Sequence, residues 1–257
     1  EGDRRPAAAA PVRRMDGVAG ARLSAPDRLD RPFADPLVGR LFPPLATGVQ
    51  WGLDRTVRAL EALGDPHKAY ATIHVGGTNG KGSVASTLAA VLSASGLRAA
   101  CYTSPHLCSF RERMLVAGRP LSEDEILARA EEVTDAVLRF GLTFFEAVTV
   151  LAFHAFARES VDVAVIEVGL GGRLDATNVL RPEVAAVTNV AMDHTDYLGD
   201  SLEKIAWEKA GIVKPGVPLV TAETDRRLLD VFRDVTGAVG APLITMDPDS
   251  VEDVEIA

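Results

Sequence analysis

Apolar and polar residues follow two periods along this chain, one typical of helices and one typical of buried strands. Leu53, Val57, Leu60 and Leu63 recur at helical spacing, and Gly64 follows them as a stop signal. Nearly continuous apolar runs predict strands over residues 71–75, 98–102, 161–168, 184–190, 217–221 and 242–246. Helical patterns lie between them over residues 81–95, 122–140, 145–158, 202–210 and 225–235.

This alternation of strands and helices predicts an α/β fold with a mostly parallel sheet and helices on both faces. Ligands of such sheets bind at the carboxyl ends of the strands. Each glycine-rich or polar motif of the chain follows a predicted strand, so we expect the functional residues to meet at that edge of the sheet.

Composition narrows the class of protein. The chain has 257 residues, of which 47% are hydrophobic, and this is enough for a sizeable core. A net charge of -9 disfavours a nucleic-acid binder, and no apolar run reaches the roughly 20 residues that cross a membrane. Cys101 and Cys108 form neither a metal motif nor a disulfide framework, so we expect reduced thiols in a cytoplasmic protein.

The amino-terminal part differs from the rest in composition. It is rich in Ala, Arg, Pro and Asp and lacks apolar periodicity and a secretory apolar segment. We therefore expect a disordered leader over residues 1–40 and one folded domain over residues 41–257.

A glycine-rich segment lies between the strand at 71–75 and the following helix. Its residues are Gly77, Thr78, Asn79, Gly80, Lys81, Gly82 and Ser83. Glycines let backbone N–H groups converge on phosphate oxygens, and the helix N-terminus and Lys81 add positive charge. Gly82 separates the lysine from Ser83, which departs from the standard phosphate-binding loop. The alternative is a turn without a ligand.

Five strings of residues carry a resemblance to a known family. They are HVGGTNGKGS at 74–83, YTSPHL with FRERM at 102–114, TFFEAVT at 143–149, EVGLGGRLDATNV at 167–179, and TNVAMDHTDYLGDSLEKIAWEKAGIVKPG at 188–216. In this order they resemble the folylpolyglutamate and dihydrofolate synthase branch of the Mur ligase superfamily. The resemblance implies a central domain like that of P-loop NTPases, which binds ATP.

The family pattern also implies two magnesium ions. It assigns Ser104 and Glu167 to the ion bound with ATP and His194 to the second. Magnesium prefers oxygen ligands and bridges carboxylates to phosphates, which suits a carboxylate at the end of a buried strand. A salt bridge is the alternative for Glu167, and a structural role is the alternative for His194.

Lys209, in the string WEKAGI, matches a lysine that is carbamylated by CO₂ in the family. The carbamate would be an anion suited to the second magnesium ion. A lysine with a lowered pKa has a neutral amine that can react in this way. The alternative is a surface lysine favoured by the helix dipole. With Lys81 and His194, Lys209 completes the expected catalytic set.

Residues after two predicted strands match a pterin site of bacterial family members. They are Thr143, Phe144, Phe145, Glu146, Arg173, Leu174, Asp175 and Ala176. Aromatic walls with a few polar anchors suit a flat pterin, and we expect Glu146 and Asp175 to be the anchors. Core packing is the alternative for the two phenylalanines, and Arg173 is expected to pair with a carboxylate or a phosphate.

The resemblance implies a ligase that phosphorylates a substrate carboxylate with ATP and then joins it to L-glutamate. The substrate is dihydropteroate, a reduced folate, or both, and the protein acts as a monomer. A smaller carboxyl-terminal domain that helps to bind glutamate is expected to be absent from this chain. Two alternatives remain: a Mur ligase that acts on a UDP-linked cell-wall precursor, and a nucleotide-binding regulatory module without ligase activity.

Overall fold

A computed structural model describes residues 35–46, 48 and 50–246. Within them, the strands β1 to β8 are Ala71–Gly76, Ala99–Tyr102, Met114–Val116, Arg119–Pro120, Val163–Glu167, Val184–Val187, Leu219–Thr221 and Leu243–Thr245. The helices α1 to α8 are Val38–Leu41, Asp54–Ala62, Lys81–Ala94, Glu123–Phe140, Phe144–Arg158, Thr195–Leu198, Leu202–Ala210 and Arg226–Ala238. Short 3₁₀ helices span Pro66–Lys68, Phe110–Arg113 and Ala176–Val179.

The described strands form one sheet in the order β4-β3-β2-β5-β1-β6-β7-β8. The strands from β2 to β8 in this order run parallel, which confirms the predicted α/β fold. At one edge, β3 pairs antiparallel with β2, and β4 pairs antiparallel with β3. The apolar pattern did not predict this hairpin.

Helices cover both faces of the sheet, as the alternation of neighbouring side chains shows. Tyr102 and Ile166 belong to the large apolar cluster that includes residues of α4 and α5. Their neighbours Cys101 and Val165 pack instead with Val75 and with residues of α3. Because successive residues of a strand point to opposite faces, α3 and the α4–α5 pair lie on opposite sides of β2 and β5. A third cluster joins β6 and β7 to α7 and α8.

The folded part begins earlier than the sequence suggested. Leu37 and Leu41 are buried in the large apolar cluster, and α1 packs against α4. The boundary expected at residue 40 is therefore wrong, since residues 35–40 belong to the fold. The rest of the expected leader, residues 1–34, lies outside the described residues.

Two adjacent helices begin with the same device. At α4, Ser122 and Glu125 form a capping box, in which Ser122 N donates to Glu125 Oε2 at 2.7 Å. At α5, Thr143 and Glu146 form a second capping box. None of the helices in the described residues is long and apolar enough to cross a membrane.

Candidate active site

The glycine-rich segment forms a loop between the central strand β1 and α3. Gly77 has φ 137°, and a Cβ on it would lie 1.9 Å from Thr188 Oγ1, so only glycine fits there. Val84 N donates the first intrahelical bond, to Gly80 O at 2.9 Å. The N–H groups of Lys81, Gly82 and Ser83 therefore make no helix hydrogen bonds and can bind an anion.

The segment after β6 holds this loop in place. Thr78 N donates to Asn189 O at 2.9 Å, and Asn79 N donates to Asn189 Oδ1 at 3.1 Å. Thr188 Oγ1 donates to Asn79 O at 2.7 Å. The amides of Thr78 and Asn79 are thus engaged within the protein, and the anion-binding donors are concentrated at the start of α3.

Two lysines contact the carbonyl groups of the loop. Lys81 Nζ donates to Thr78 O at 3.2 Å, and Lys209 Nζ donates to Gly77 O at 2.8 Å. Lys209 is only 2% exposed, so the alternative of a surface lysine is wrong. Burial, together with the charge of Lys81, lowers the pKa of Lys209 to about 8.

Glu167 ends β5 opposite the first turn of α3. It is buried, and its Oε2 accepts a hydrogen bond from Ser104 N at 2.9 Å. Burial raises the pKa of this carboxyl group, and the Ser104 amide opposes the change. Among the described residues no basic side chain lies within 4.0 Å of it, so the salt-bridge alternative finds no support. A buried carboxylate without a basic partner is suited to bind a cation.

His194 is not brought together with Glu167 in a set of metal ligands. Its side chain is 54% exposed and lies 3.4 Å from Asp193 Oδ1. Across the described part of the chain, no three His, Cys, Asp or Glu side chains form a group that could hold a metal ion. Metal ligands here would have to include other oxygen donors as well as Glu167.

A cavity of about 610 Å³ collects most of the residues expected at the pterin site. From that set, its lining includes Thr143, Phe144, Phe145, Glu146, Leu174, Asp175 and Ala176. Ser104 also lines it, so the cavity reaches the segment that contacts Glu167. Gly169 fits against the ring of Phe145, where a Cβ would lie 2.3 Å from the ring.

The two expected polar anchors have bonds within the protein. Glu146 Oε2 accepts from Thr143 N at 2.7 Å, and its Oε1 accepts from Arg55 at 2.8 Å. Asp175 accepts from Leu170 N at 2.8 Å and from Thr177 N at 3.0 Å. Both carboxylates line the cavity while they hold its walls together.

Arg173 is the exception among the expected pterin residues, because it does not line the cavity. Its guanidinium group donates to Glu208 Oε1 at 2.8 Å and lies over the ring of Trp207. The structure thus places Arg173 outside this cavity, and its carboxylate partner is Glu208 of α7.

Trp51 and Arg113 are among the cavity-lining residues that sequence reasoning missed. Trp51 precedes α2 and is 43% exposed. Arg113 is 4% exposed and ends the 3₁₀ helix before β3. The string FRERM contains Arg113, but a position before an undetected antiparallel strand gave no reason to place it at the ligand edge.

Comparison with known proteins defines the class of this domain. The Mur ligase middle domain family matches residues 75–226. The chain therefore belongs to the Mur ligase family, as the five strings of its sequence indicated.

Within that family the relatives are folate enzymes. A dihydrofolate synthase/folylpolyglutamate synthase of Bacillus subtilis is 40% identical over 205 residues, which cover 77% of this chain and 48% of the relative. The crystal structure of a Thermotoga maritima folylpolyglutamate synthase is 43% identical with a TM-score of 0.73, and the match covers 78% of this chain and 48% of the other.

A third comparison includes ligands. The structure of E. coli FolC in complex with DHPP and ADP is 37% identical with a TM-score of 0.78, and the match covers 86% of this chain and 54% of that one. The chain thus spans about half the length of these three relatives.

Proposed function

We propose that this protein is an ATP-dependent ligase that joins L-glutamate to dihydropteroate, to the glutamate tail of a folate, or to both. The observation that carries the proposal is the meeting of Lys81, Lys209 and the free amides of α3 on one loop. Glu167 faces the same helix turn, and the cavity with Phe144 and Phe145 lies beside it. The names of the relatives support the folate substrates.

The reaction proceeds in two balanced steps. An oxygen of the substrate carboxylate attacks the γ-phosphorus of ATP, and ADP leaves with the electron pair of the broken P–O bond. The amine nitrogen of glutamate then attacks the acyl carbon, phosphate leaves, and the nitrogen loses a proton. Lys81 and the first amides of α3 balance the phosphate charge during the first step.

Magnesium would neutralise charge on the phosphates. Ser104 and Glu167 would hold the first ion, and His194 and Lys209 would hold the second. Glu167 fits such an ion because its carboxylate is buried and lacks a basic partner among the described residues. For His194 the support is the family pattern only, since its ring lies at an exposed position.

Lys209 is proposed to carry a carbamate. Its neutral amine attacks the carbon of CO₂, an N–C bond forms, and one proton leaves the nitrogen. A pKa of about 8 leaves a useful neutral fraction at physiological pH. NMR with isotope-labelled CO₂ tests this step, and the absence of a carbamate signal in the wild-type protein would contradict it.

The cavity is proposed to hold the pterin ring between apolar and aromatic walls, and the protein is proposed to be a cytoplasmic monomer. Two unpaired cysteines, Cys101 and Cys108, agree with a reducing compartment. A cell-wall Mur ligase is not favoured, because the relatives at this level of identity are folate enzymes.

The decisive assay measures ADP release by the protein expressed from its complete reading frame, with ATP, Mg²⁺, glutamate and dihydropteroate. We expect release that requires dihydropteroate or a reduced folate and that is lost in Lys209→Ala. Lys204→Ala, on the exposed side of the same helix, is the matched control. ATP binding without any amide product would instead indicate a regulatory module, and activity with a UDP-linked peptide would indicate the cell-wall branch.

A further inference from the structure

Arg113 lies at the ligand edge of the sheet because of the antiparallel hairpin. Met114 of β3 pairs with Tyr102, the last residue of β2. Arg113 therefore sits next to the segment that leaves β2, and its carbonyl accepts a hydrogen bond from Thr103 N at 3.2 Å. Ser104 follows immediately, and both Ser104 and Arg113 line the 610 Å³ cavity.

The guanidinium group of Arg113 is buried without a carboxylate partner. The residue is 4% exposed, and arginine keeps its charge at every physiological pH. Its Nε donates to His106 Nδ1 at 2.9 Å, and the group lies 5.7 Å from the centre of the Phe110 ring. In the described part of the chain no acidic oxygen lies within 4.0 Å of it.

Such an arrangement is costly unless an anion completes it, because a buried charge loses its hydration. Two arginines outside the cavity lining differ in this respect: Arg55 is paired with Glu146, and Arg173 with Glu208. A folate-type substrate offers carboxylates as its anionic groups, and a guanidinium group binds a carboxylate with two parallel hydrogen bonds.

We propose that Arg113 binds the substrate carboxylate that the ligase activates, and that His106 positions the guanidinium group. This inference rests on the proposed function. His106 suits the positioning role because its Nδ1 accepts a hydrogen bond and so carries no proton. The hydrogen bond from Arg113 Nε to this nitrogen, at 2.9 Å, fixes the orientation of the guanidinium group.

The substrate carboxylate bound by Arg113 would lie near both the apolar cavity and the phosphate loop. The cavity wall at Ser104 and Pro105 is close to Glu167, since Ser104 N contacts the Glu167 carboxylate. A carboxylate held there by Arg113 lies between the apolar cavity and the phosphate loop. Arg113 also partly neutralises the substrate anion before it meets the negatively charged phosphates of ATP.

Binding to matched ligands tests the proposal without turnover. Calorimetry measures Kd for dihydropteroate and for its carboxamide analogue, which keeps the pterin but lacks the charge. We expect Arg113→Gln to raise the Kd for dihydropteroate about 10- to 100-fold and to leave the Kd for the carboxamide unchanged. Arg113→Lys should lie between this variant and the wild type, and the exposed Arg119→Gln should change neither Kd.

The outcomes separate the two levels of inference. Equal weakening of both ligands by Arg113→Gln, or no weakening of either, overturns the role of Arg113 while the folate function stands. Failure of the wild-type protein to bind either ligand overturns the proposed function and the Arg113 inference with it. Circular dichroism confirms that each variant is folded.

His106 has its own test. Replacement by leucine removes the acceptor for Arg113 Nε, and glutamine retains one. We expect His106→Leu to weaken dihydropteroate by less than Arg113→Gln does, with the carboxamide unchanged, and His106→Gln to restore most of the affinity. Equal Kd values for the leucine and glutamine variants would contradict the positioning role.

Discussion

Glu167 and Asp175 are two buried carboxylates on the same strand–loop segment, and they are satisfied in opposite ways. Asp175 accepts from Leu170 N, Thr177 N and Thr177 Oγ1, which all belong to its own loop. Among the described residues, Glu167 accepts from a single donor, Ser104 N. Burial raises the pKa of both. Asp175 therefore builds the loop, whereas Glu167 keeps oxygen lone pairs available for a cation.

Basic residues divide in the same way. Arg173 is paired with Glu208, while Lys209 donates to a carbonyl group and Arg113 to an imidazole, and among the described residues neither has an acidic partner within 4.0 Å. Charges without a counter-charge therefore gather around the phosphate loop and the adjoining cavity wall. Buried charges of this kind are characteristic of functional sites, because a bound ligand supplies the opposite charge.

The largest expected effect comes from Glu167→Gln. Glutamine keeps an acceptor for Ser104 N but loses the charge, so ADP release should fall about 100-fold or more. The free energy of unfolding should change by less than about 1 kcal/mol, because the change also removes a buried charge. The exposed Glu183→Gln is the control. A fully active Glu167→Gln would contradict the cation-binding role that separates Glu167 from Asp175.

Asp175→Asn should show the reverse behaviour. The amide nitrogen that replaces one oxygen would face a backbone N–H donor, which leaves a buried group unsatisfied. We expect the free energy of unfolding to fall by about 2–3 kcal/mol, measured by urea denaturation. Asp230→Asn on the exposed side of α8 serves as the reference, and an equal loss in both variants would refute the structural role.

Lys209 is expected to respond to pH, because its pKa is lowered to about 8. At a fixed partial pressure of CO₂, carbamate should increase as the pH rises through about 8, where the amine loses its proton. The stability effect has the same sign. Folding lowers the pKa of this lysine, so the charged amine disfavours the folded state. The free energy of unfolding should therefore rise as the pH increases from about 8, the pKa in the folded state, to 10.5, the ordinary lysine pKa. Lys209→Met should abolish that rise.

The smallest effect is expected for Arg173→Gln. Its ion pair with Glu208 is partly exposed, with side-chain exposures of 39% and 17%. Such pairs contribute up to about 1 kcal/mol, so the Tm should fall slightly. The Kd for dihydropteroate should stay at the wild-type value. An increased Kd would indicate that Arg173 contacts the ligand.

Local patterns made much of this structure predictable. The helix at 202–210 coincides with α7, and the loop at 77–83 lies where a strand followed by a glycine-rich turn and a helix should place it. These features depend on neighbouring residues, which is why one sequence suffices. The capping box of Thr143 and Glu146 was not predicted, because the sequence analysis assigned both residues to a ligand site.

Long-range pairing explains the remainder. Arg173 and Glu208 are 35 residues apart, and no local sequence pattern predicts that they form an ion pair. The strands β3 and β4 have three and two residues, too few to show a period. Because that hairpin was not predicted, the position of Arg113 at the ligand edge could not be predicted either.

The same hairpin has a consequence for assembly. An open sheet edge can pair with another chain, and β4 offers a poor template for this. It is two residues long, Pro120 lacks an N–H donor, and Arg119 places a charge beside it. The hairpin thus protects the sheet from edge-to-edge aggregation on this side while it carries Arg113 to the cavity.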